Sequence, residues 1–264
     1  MIYVMSDIHG NAIRFNSIMT QIDLQPEDTL YILGDVIDRY PDGIRILRLL
    51  MSMPNVQMLL GNHEYMMLNA LDRLDKDNPE YTHALRLWYR NGGNITHEYI
   101  KHIRKSVRKE VFDYLHSLPL NIDIEVNGQP YILVHGGAIA AYHRYMYRYD
   151  NQEEYAVWNR IYYNEPDIEG KIIIFGHTPT SEYQHNNPLE IWRSPSGGKI
   201  GIDCGSGFPH SLSQGRYPAY GRLACLRLDD MKVFYSEEDI PEEVEKIVWE
   251  VNSTQSGSLH RLAQ

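Results

Sequence analysis

Ile2-Tyr3-Val4-Met5-Ser6-Asp7-Ile8-His9-Gly10 is the stretch on which the reading of the chain turns. An apolar run ends abruptly in an Asp and a His two positions apart, then a Gly. Residues i and i+2 of an extended segment point to the same side, so a carboxylate and an imidazole converge where the strand stops. An oxygen donor and a nitrogen donor meeting at one point suit a divalent cation. Taken alone, the pattern fits a helix cap followed by a surface histidine better.

Working outward, the same event recurs. Asn11 to Ile22 carries Ile13, Phe15, Ile18, Met19 and Ile22 at mostly helical spacing, which predicts a helix. Leu30-Tyr31-Ile32-Leu33 reads as a strand ended by Gly34-Asp35, and Pro41 is expected to open a helix holding Ile44, Ile46, Leu47, Leu49 and Leu50. Val56 to Leu60 is a third strand, ended by Gly61-Asn62-His63-Glu64. This alternation predicts βαβαβ with parallel strands, and such sheets gather ligands beyond their carboxyl ends.

From about Tyr65 to Leu118 the pattern is helical, interrupted at Trp88 and at Asn91-Gly92-Gly93-Asn94, and reads as an insertion or cap. Its basic run, Lys101 to Lys109, reads as a solvated helix face. Asn127-Gly128 between two apolar runs, 121–126 and 129–134, is a strong hairpin signal, and the second run ends in His135-Gly136-Gly137. A tyrosine-rich loop, Tyr142 to Tyr149, leads into a helix over 153–160. Lys171 to Phe175 is a buried-type strand ended by Gly176-His177-Thr178-Pro179. The stretch 186–198 reads as loop, followed by strands at 199–203, 222–228 and 232–235. Residues 1–240 are thus read as one domain, with a last helix at Pro241 to Val251 and a loose tail from Asn252.

Composition sets limits on the partners. With 264 residues, 43% hydrophobic and 23% charged, the chain can bury a sizeable core. A formal net charge of −10 argues against a nucleic-acid backbone as standing partner, though a bound metal pair would reverse the local field. No run approaches a membrane span, and the start of the chain carries no secretory pattern. Two cysteines, Cys204 and Cys225, give no disulfide framework and suit a reducing compartment, so a cytoplasmic protein is expected.

Five apolar runs therefore end in metal-capable side chains beside glycine: Asp7 and His9, Asp35, Asn62 and His63, His135, and His177. Any one of these histidines could be an ordinary buried, hydrogen-bonded residue. Five coincident strand ends make that reading poor. Mixtures of His, Asp and Asn favour Mn, Fe or Zn over thiolate-seeking metals.

These motifs, in this order, resemble the phosphoprotein-phosphatase branch of the calcineurin-like metallophosphoesterases, and more narrowly its bacterial and phage members. The resemblance covers residues 1 to about 180. It implies an α/β fold: a four-layer αββα sandwich with two mixed β-sheets. It also implies two divalent metal ions, manganese foremost, with Asp7 and His9 on the first, Asp35 bridging, and Asn62, His135 and His177 on the second. His63 would be the general acid, Asp38 its carboxylate partner, and Arg39 a phosphate clamp. Trp158-Asn159-Arg160 matches the segment carrying the family's second clamp, making Arg160 that residue.

Two departures stand out, Ser6 and Tyr40, each where glycine is usual in the family. Asp203, at another strand end, could support the site or simply cap a turn. The implied reaction is hydrolysis of phosphate monoesters by metal-activated water, with phosphoserine and phosphothreonine proteins as leading substrates. A dinucleoside polyphosphate hydrolase is the alternative, for which the tyrosine-rich loop could stack a base. A metal-retaining binding protein without activity is the third reading.

Overall fold

The computed structural model describes residues 1–208 and 221–237. In chain order its elements are β1 (Ile2–Met5), α1 (Ala12–Ile22), β2 (Thr29–Ile32), α2 (Gly43–Ser52), β3 (Val56–Met58) and α3 (Asn62–Leu68). A π-helical turn at Asn69–Arg73 leads to α4 (Tyr81–Arg90), α5 (Gly93–His102) and α6 (Lys105–Ser117). The second half holds β4 (Asn121–Val126), β5 (Gln129–Val134), α7 (Gln152–Trp158), β6 (Ile172–Phe175), β7 (Trp192–Arg193), β8 (Lys199–Gly201), β9 (Ala224–Arg227) and β10 (Val233–Tyr235). The helix expected over 241–251 and the tail after it lie outside the described residues.

The strands form two five-stranded mixed sheets, β10-β9-β1-β2-β3 and β4-β5-β6-β8-β7. Each has three parallel strands at its centre or edge, β1-β2-β3 in one and β5-β6-β8 in the other, completed by antiparallel neighbours. Strand alternation builds the layers. Val4, Tyr31, Leu33, Leu59 and Leu226 of the first sheet meet Tyr131, Leu133, Ile174 and Ile200 of the second in one inter-sheet core. The opposite faces, with Tyr3, Met5, Leu30 and Ile32, pack beneath helical residues such as Phe15, Leu47 and Met67. The outer face of the second sheet is closed more thinly, by Ala138, Ile161, Trp192 and the half-buried Ile168 and Tyr183.

Several local expectations shift by a few residues. Pro41 stands before the helix rather than at its first position, because Asp42 is the N-cap of α2. Trp88 lies inside α4 and does not interrupt it; the chain turns at Gly92, whose φ of 95° needs a glycine. The stretch 186–198 contains β7, which pairs antiparallel with β8. The 153–160 helix stops at Trp158, so Arg160 follows it on irregular chain. Asn127 and Gly128, at φ 52° and 78°, close the β4–β5 hairpin in the geometry that matches strand twist. The 65–118 block packs directly on the first sheet: Met66, Trp88, Ile100, Val111 and Leu115 share its helical-side core. No helix among the described residues is long and apolar enough to cross a membrane.

Candidate metal centre

The site lies where β1, β2, β3, β5 and β6 end. Beyond β1 and β2 the two loops run side by side, bonded by Asp7 N–H to Gly34 O (3.1 Å), His9 N–H to Asp35 O (2.9 Å) and Gly10 N–H to Val36 O (2.7 Å). Nine non-glycine residues among those described have positive φ, and six of them, Asp7, His9, Asp35, Asp38, Arg39 and His177, are site candidates. Left-handed backbone at non-glycine positions persists only where the surroundings hold it, and it clusters at functional sites. Close approach matters as well: a Cβ at Gly176 would strike Ser6 and the Asp7 carboxylate, and one at Gly61 would strike Asp35.

Two buried donor groups result, His9-Asp35-His63 and Asp35-His135-His177, with ligand atoms in each within 4.8 Å of one another. Asp35 belongs to both. Its Oδ1 lies 3.4 Å from His135 Nε2, and its Oδ2 lies 3.7 Å from His9 Nε2 and 3.8 Å from His63 Nε2. Asn62 Oδ1 sits between His177 Nδ1 (2.8 Å) and His135 Nε2 (3.0 Å). Asp7 Oδ2 accepts from Ser6 Oγ (2.5 Å) and from His177 N–H (3.0 Å), while its Oδ1 faces His9 Nε2 at 3.9 Å. The six residues expected as ligands are therefore brought together, none more than 8% exposed.

Backbone carbonyls settle two tautomers. His9 Nδ1 faces Ile37 O at 3.2 Å and His135 Nδ1 faces Leu33 O at 2.6 Å. A carbonyl only accepts, so each Nδ1 carries the proton and each Nε2 presents a lone pair to the centre. Burial holds His9, His135 and His177 below the usual imidazole range, hence neutral. Burial, then Asp35, pushes Asp7 up to about 6, and burial raises Asp35 too. Neutral imidazoles, an amide oxygen and crowded carboxylates, all desolvated, form a donor set short of positive charge. Two divalent cations sharing Asp35 fit it.

Beside this set, His63 Nδ1 bonds Asp38 Oδ2 at 2.7 Å, both groups essentially fully buried. Burial pushes Asp38 up to about 7 and His63 down to about 3, each toward its neutral form. Arg39 Nη2 lies 3.4 Å from His63 Nε2. Arg160 is exposed, and its charge reaches His135 and His177, so the two expected clamps stand toward different halves of the centre. Trp158, two residues before it, meets the His177 ring edge-on at 5.9 Å.

Three supporting residues escaped the sequence reading. The buried Glu64 carboxylate accepts from Asp35 N–H (2.9 Å), Val36 N–H (2.9 Å) and Ile37 N–H (3.3 Å), pinning the loop that presents Asp35. Its place directly after His63 was the available signal. Trp88 Nε1–H donates to Asp38 Oδ2 (2.8 Å), and Thr96 Oγ1 accepts from Asp38 N–H (3.0 Å). Nothing local in the sequence marks either. Asp203 caps Gly205 N–H at 2.9 Å, and burial, then Asp7, pushes its carboxyl up to about 7, toward the neutral form.

Other candidates lie elsewhere. Tyr142, Tyr145 and Tyr149 surround Tyr155 of α7 with ring centroids 5.4–5.6 Å away, so they pack as a cap, while Tyr147 is 80% exposed. Tyr40 OH donates to Phe208 O at 3.0 Å. The basic run is exposed or half-buried, with Lys101 on Glu98 and Lys109 on Asp113. His97 and His116 bond Tyr89 and Asp72, and His102 and His143 face backbone carbonyls.

The family model for calcineurin-like phosphoesterase matches residues 1–199. A symmetrical bis(5'-nucleosyl)-tetraphosphatase of Pectobacterium atrosepticum is 32% identical over 80 residues, 30% of this chain and 28% of that one. Serine/threonine-protein phosphatase 2 of Escherichia coli K12 is 32% identical over 138 residues, 51% of this chain and 57% of its own. The chain thus spans well under two thirds of either relative. Among solved structures, a metallophosphoesterase from Sphaerobacter thermophilus superposes with TM-score 0.53 at 20% identity, covering 93% of this chain and 96% of that one. A protein serine/threonine phosphatase from Saccharomyces cerevisiae also gives 0.53, at 14% identity, covering 91% and 81%. These last two likenesses concern the fold.

Proposed function

From the premise that this chain belongs to the calcineurin-like phosphoesterases, and so is a metal-dependent hydrolase of phosphoric esters, we propose that it cleaves phosphate monoesters, foremost phosphoserine and phosphothreonine in proteins. The observation carrying this reading is the Asp35 carboxylate shared by two buried donor groups, with the His63–Asp38 pair beside it at 2.7 Å.

Asp7, His9 and Asp35 would hold one ion, and Asp35, Asn62, His135 and His177 the other; manganese is the ion we propose. Bound there, such a pair supplies an acidified water and neutralises phosphoryl charge. The remaining work falls to the chain. Arg39, on the His63 side, and Arg160, on the His177 side, bind phosphoryl oxygens as planar forks. His63 Nε2 donates a proton to the leaving oxygen as its bond to phosphorus breaks. Asp38 keeps the imidazole oriented, and its ionised form favours the protonated ring. His63 also falls within one donor group with His9 and Asp35; its Nε2 stands 3.4 Å from Arg39 Nη2, on the phosphate side, and its Nδ1 partner is a carboxylate where those of His9 and His135 are carbonyls, which favours the acid role over ligation. Free, buried Cys204 and Cys225 support a reducing, cytoplasmic setting.

One observation favours a second reading. Arg39, Tyr40, Arg90 and Phe208 line a cavity of about 430 Å³ next to the phosphate side, a combination that suits the further phosphates of a dinucleoside polyphosphate. Chelation should abolish hydrolysis of an aryl phosphate and added Mn should restore it; a chelator-insensitive enzyme would remove the central claim. On Mn-loaded protein, phosphothreonine peptides should be turned over with higher kcat/KM than diadenosine tetraphosphate. The opposite order would select the second reading.

A further inference from the structure

Residues 38 and 39 are an unusual pair. Both have positive φ, 72° and 66°, without being glycine, and neither lies in a helix or strand. Backbone in that region stays put only if neighbours hold it. Three holds come from one segment, residues 88–96, more than 48 residues away in the chain: Thr96 Oγ1 on Asp38 N–H (3.0 Å), Gly92 O on Arg39 N–H (3.3 Å) and Trp88 Nε1–H on Asp38 Oδ2 (2.8 Å). Trp88 is 0% exposed, and a Cβ at Gly93 would run into its ring, so the turn after α4 is shaped to admit the indole.

The third hold differs in kind from the other two. An aspartate carboxylate has a broad torsional well about its last bond, so Asp38's own rotamer does not define its plane. An indole N–H can only donate. Trp88 and His63 Nδ1 both point at the same oxygen, Oδ2, at 2.8 Å and 2.7 Å. That shared oxygen must therefore accept from both, which fixes the carboxylate plane, keeps the proton on Nδ1 and leaves Nε2 facing the centre.

We propose that Trp88 is a positioning residue for the reaction: its indole N–H sets the Asp38 carboxylate that aims His63 at the leaving oxygen. Thus α4 and α5 belong to the proton-delivery machinery as well as to the helical layer. The inference rests on His63 being the proton donor.

Leaving-group dependence tests it, because proton delivery matters for a poor leaving group and hardly at all for a good one. Trp88→Phe removes the N–H and keeps an aromatic ring. On Mn-loaded protein it should lower kcat for a phosphothreonine peptide about tenfold, the worth of one hydrogen bond to a charged group. KM and bound Mn should stay unchanged, and 2,4-dinitrophenyl phosphate, whose phenolate leaves unaided, should be cleaved within about twofold of the parent rate. Equal losses on both esters, or no loss on either, would overturn the proposal. His63→Asn is run alongside and should give the same pattern more strongly. If it gives the pattern and Trp88→Phe does not, only the positioning role falls. If His63→Asn lacks the pattern, the acid assignment and this inference fall together. Should Trp88→Phe yield no folded protein, benzothienylalanine at position 88, which swaps the indole N–H for sulfur at nearly the same shape, carries the same expectation.

Discussion

The two sheets contribute to one centre in different ways. The first presents Asp7, His9 and Asp35 on loops and Asn62 with His63 at the start of α3, beyond the ends of three neighbouring parallel strands, and it needs reinforcement. Five of the six left-handed site residues lie there, Glu64 pins three N–H groups, and α4 and α5 hold Asp38 from outside. The second sheet presents His135 and His177 directly after β5 and β6, with one left-handed residue. Its imidazoles are set by Leu33 O and by Asn62, both from the first sheet's half. The first sheet therefore carries the charged and proton-handling groups, and the second adds neutral donors that close the site. Strain and support accumulate where charge is handled.

That contrast can be broken at Asp35, the residue both halves share. Asp35→Asn should lose both ions and reduce turnover at least about ten-thousandfold, the upper end of what a single general acid supplies; full activity with two Mn per chain by metal analysis would dissolve the distinction. Next in size, His177→Ala should leave one ion per chain with activity down about a hundredfold, comparable to losing a group that orients or ligates a metal. An equal loss of both ions would mean that the halves are not separable.

A third effect is in pH. In the metal-free fold Asp7 is raised to about 6, so it holds a proton that a cation must displace as pH falls through that region, and Asp35 is shifted in the same direction. The imidazoles are shifted the other way, downward, so they add little to that release. Mn binding at pH 5.5 should thus release protons and weaken, whereas at pH 8 it should release few, as calorimetry in buffers of different ionisation enthalpy would record. Proton release that grows with pH would reverse the sign. The smallest effect is expected at Ser6, which donates to Asp7 Oδ2 at 2.5 Å. Ser6→Gly, restoring the family's usual residue, should change Mn affinity by no more than about tenfold, the low end for one hydrogen bond to a charged group.

Legibility followed the same division. Strand ends announce themselves because a glycine, a carboxylate or an imidazole interrupts an apolar run, and period-2 burial then sorts Val4 and Tyr31 from Tyr3 and Leu30. The ligand candidates and most of the strands were readable on that basis, while their grouping into two mixed sheets came from the family resemblance. Trp88 was not, since a buried tryptophan in a helix looks the same whether it fills space or donates a hydrogen bond. Its partner lies 50 residues away. Glu64 was half legible: it stood in the motif, but only the fold reveals three N–H groups arriving at its carboxylate. The two-residue β7 was missed because its pairing with β8, and not its composition, makes it a strand.

The bonds that knit the centre together also order events in time. His177 N–H reaches Asp7 across 170 residues of chain, His177 meets Asn62 across 115, and His135 meets Leu33 O across 102. Each such closure costs loop entropy before it is rewarded. During synthesis the first sheet's parallel strands can pair early, yet the second donor group does not exist until His177 has emerged from the ribosome. Until then the nascent protein carries half a binding site.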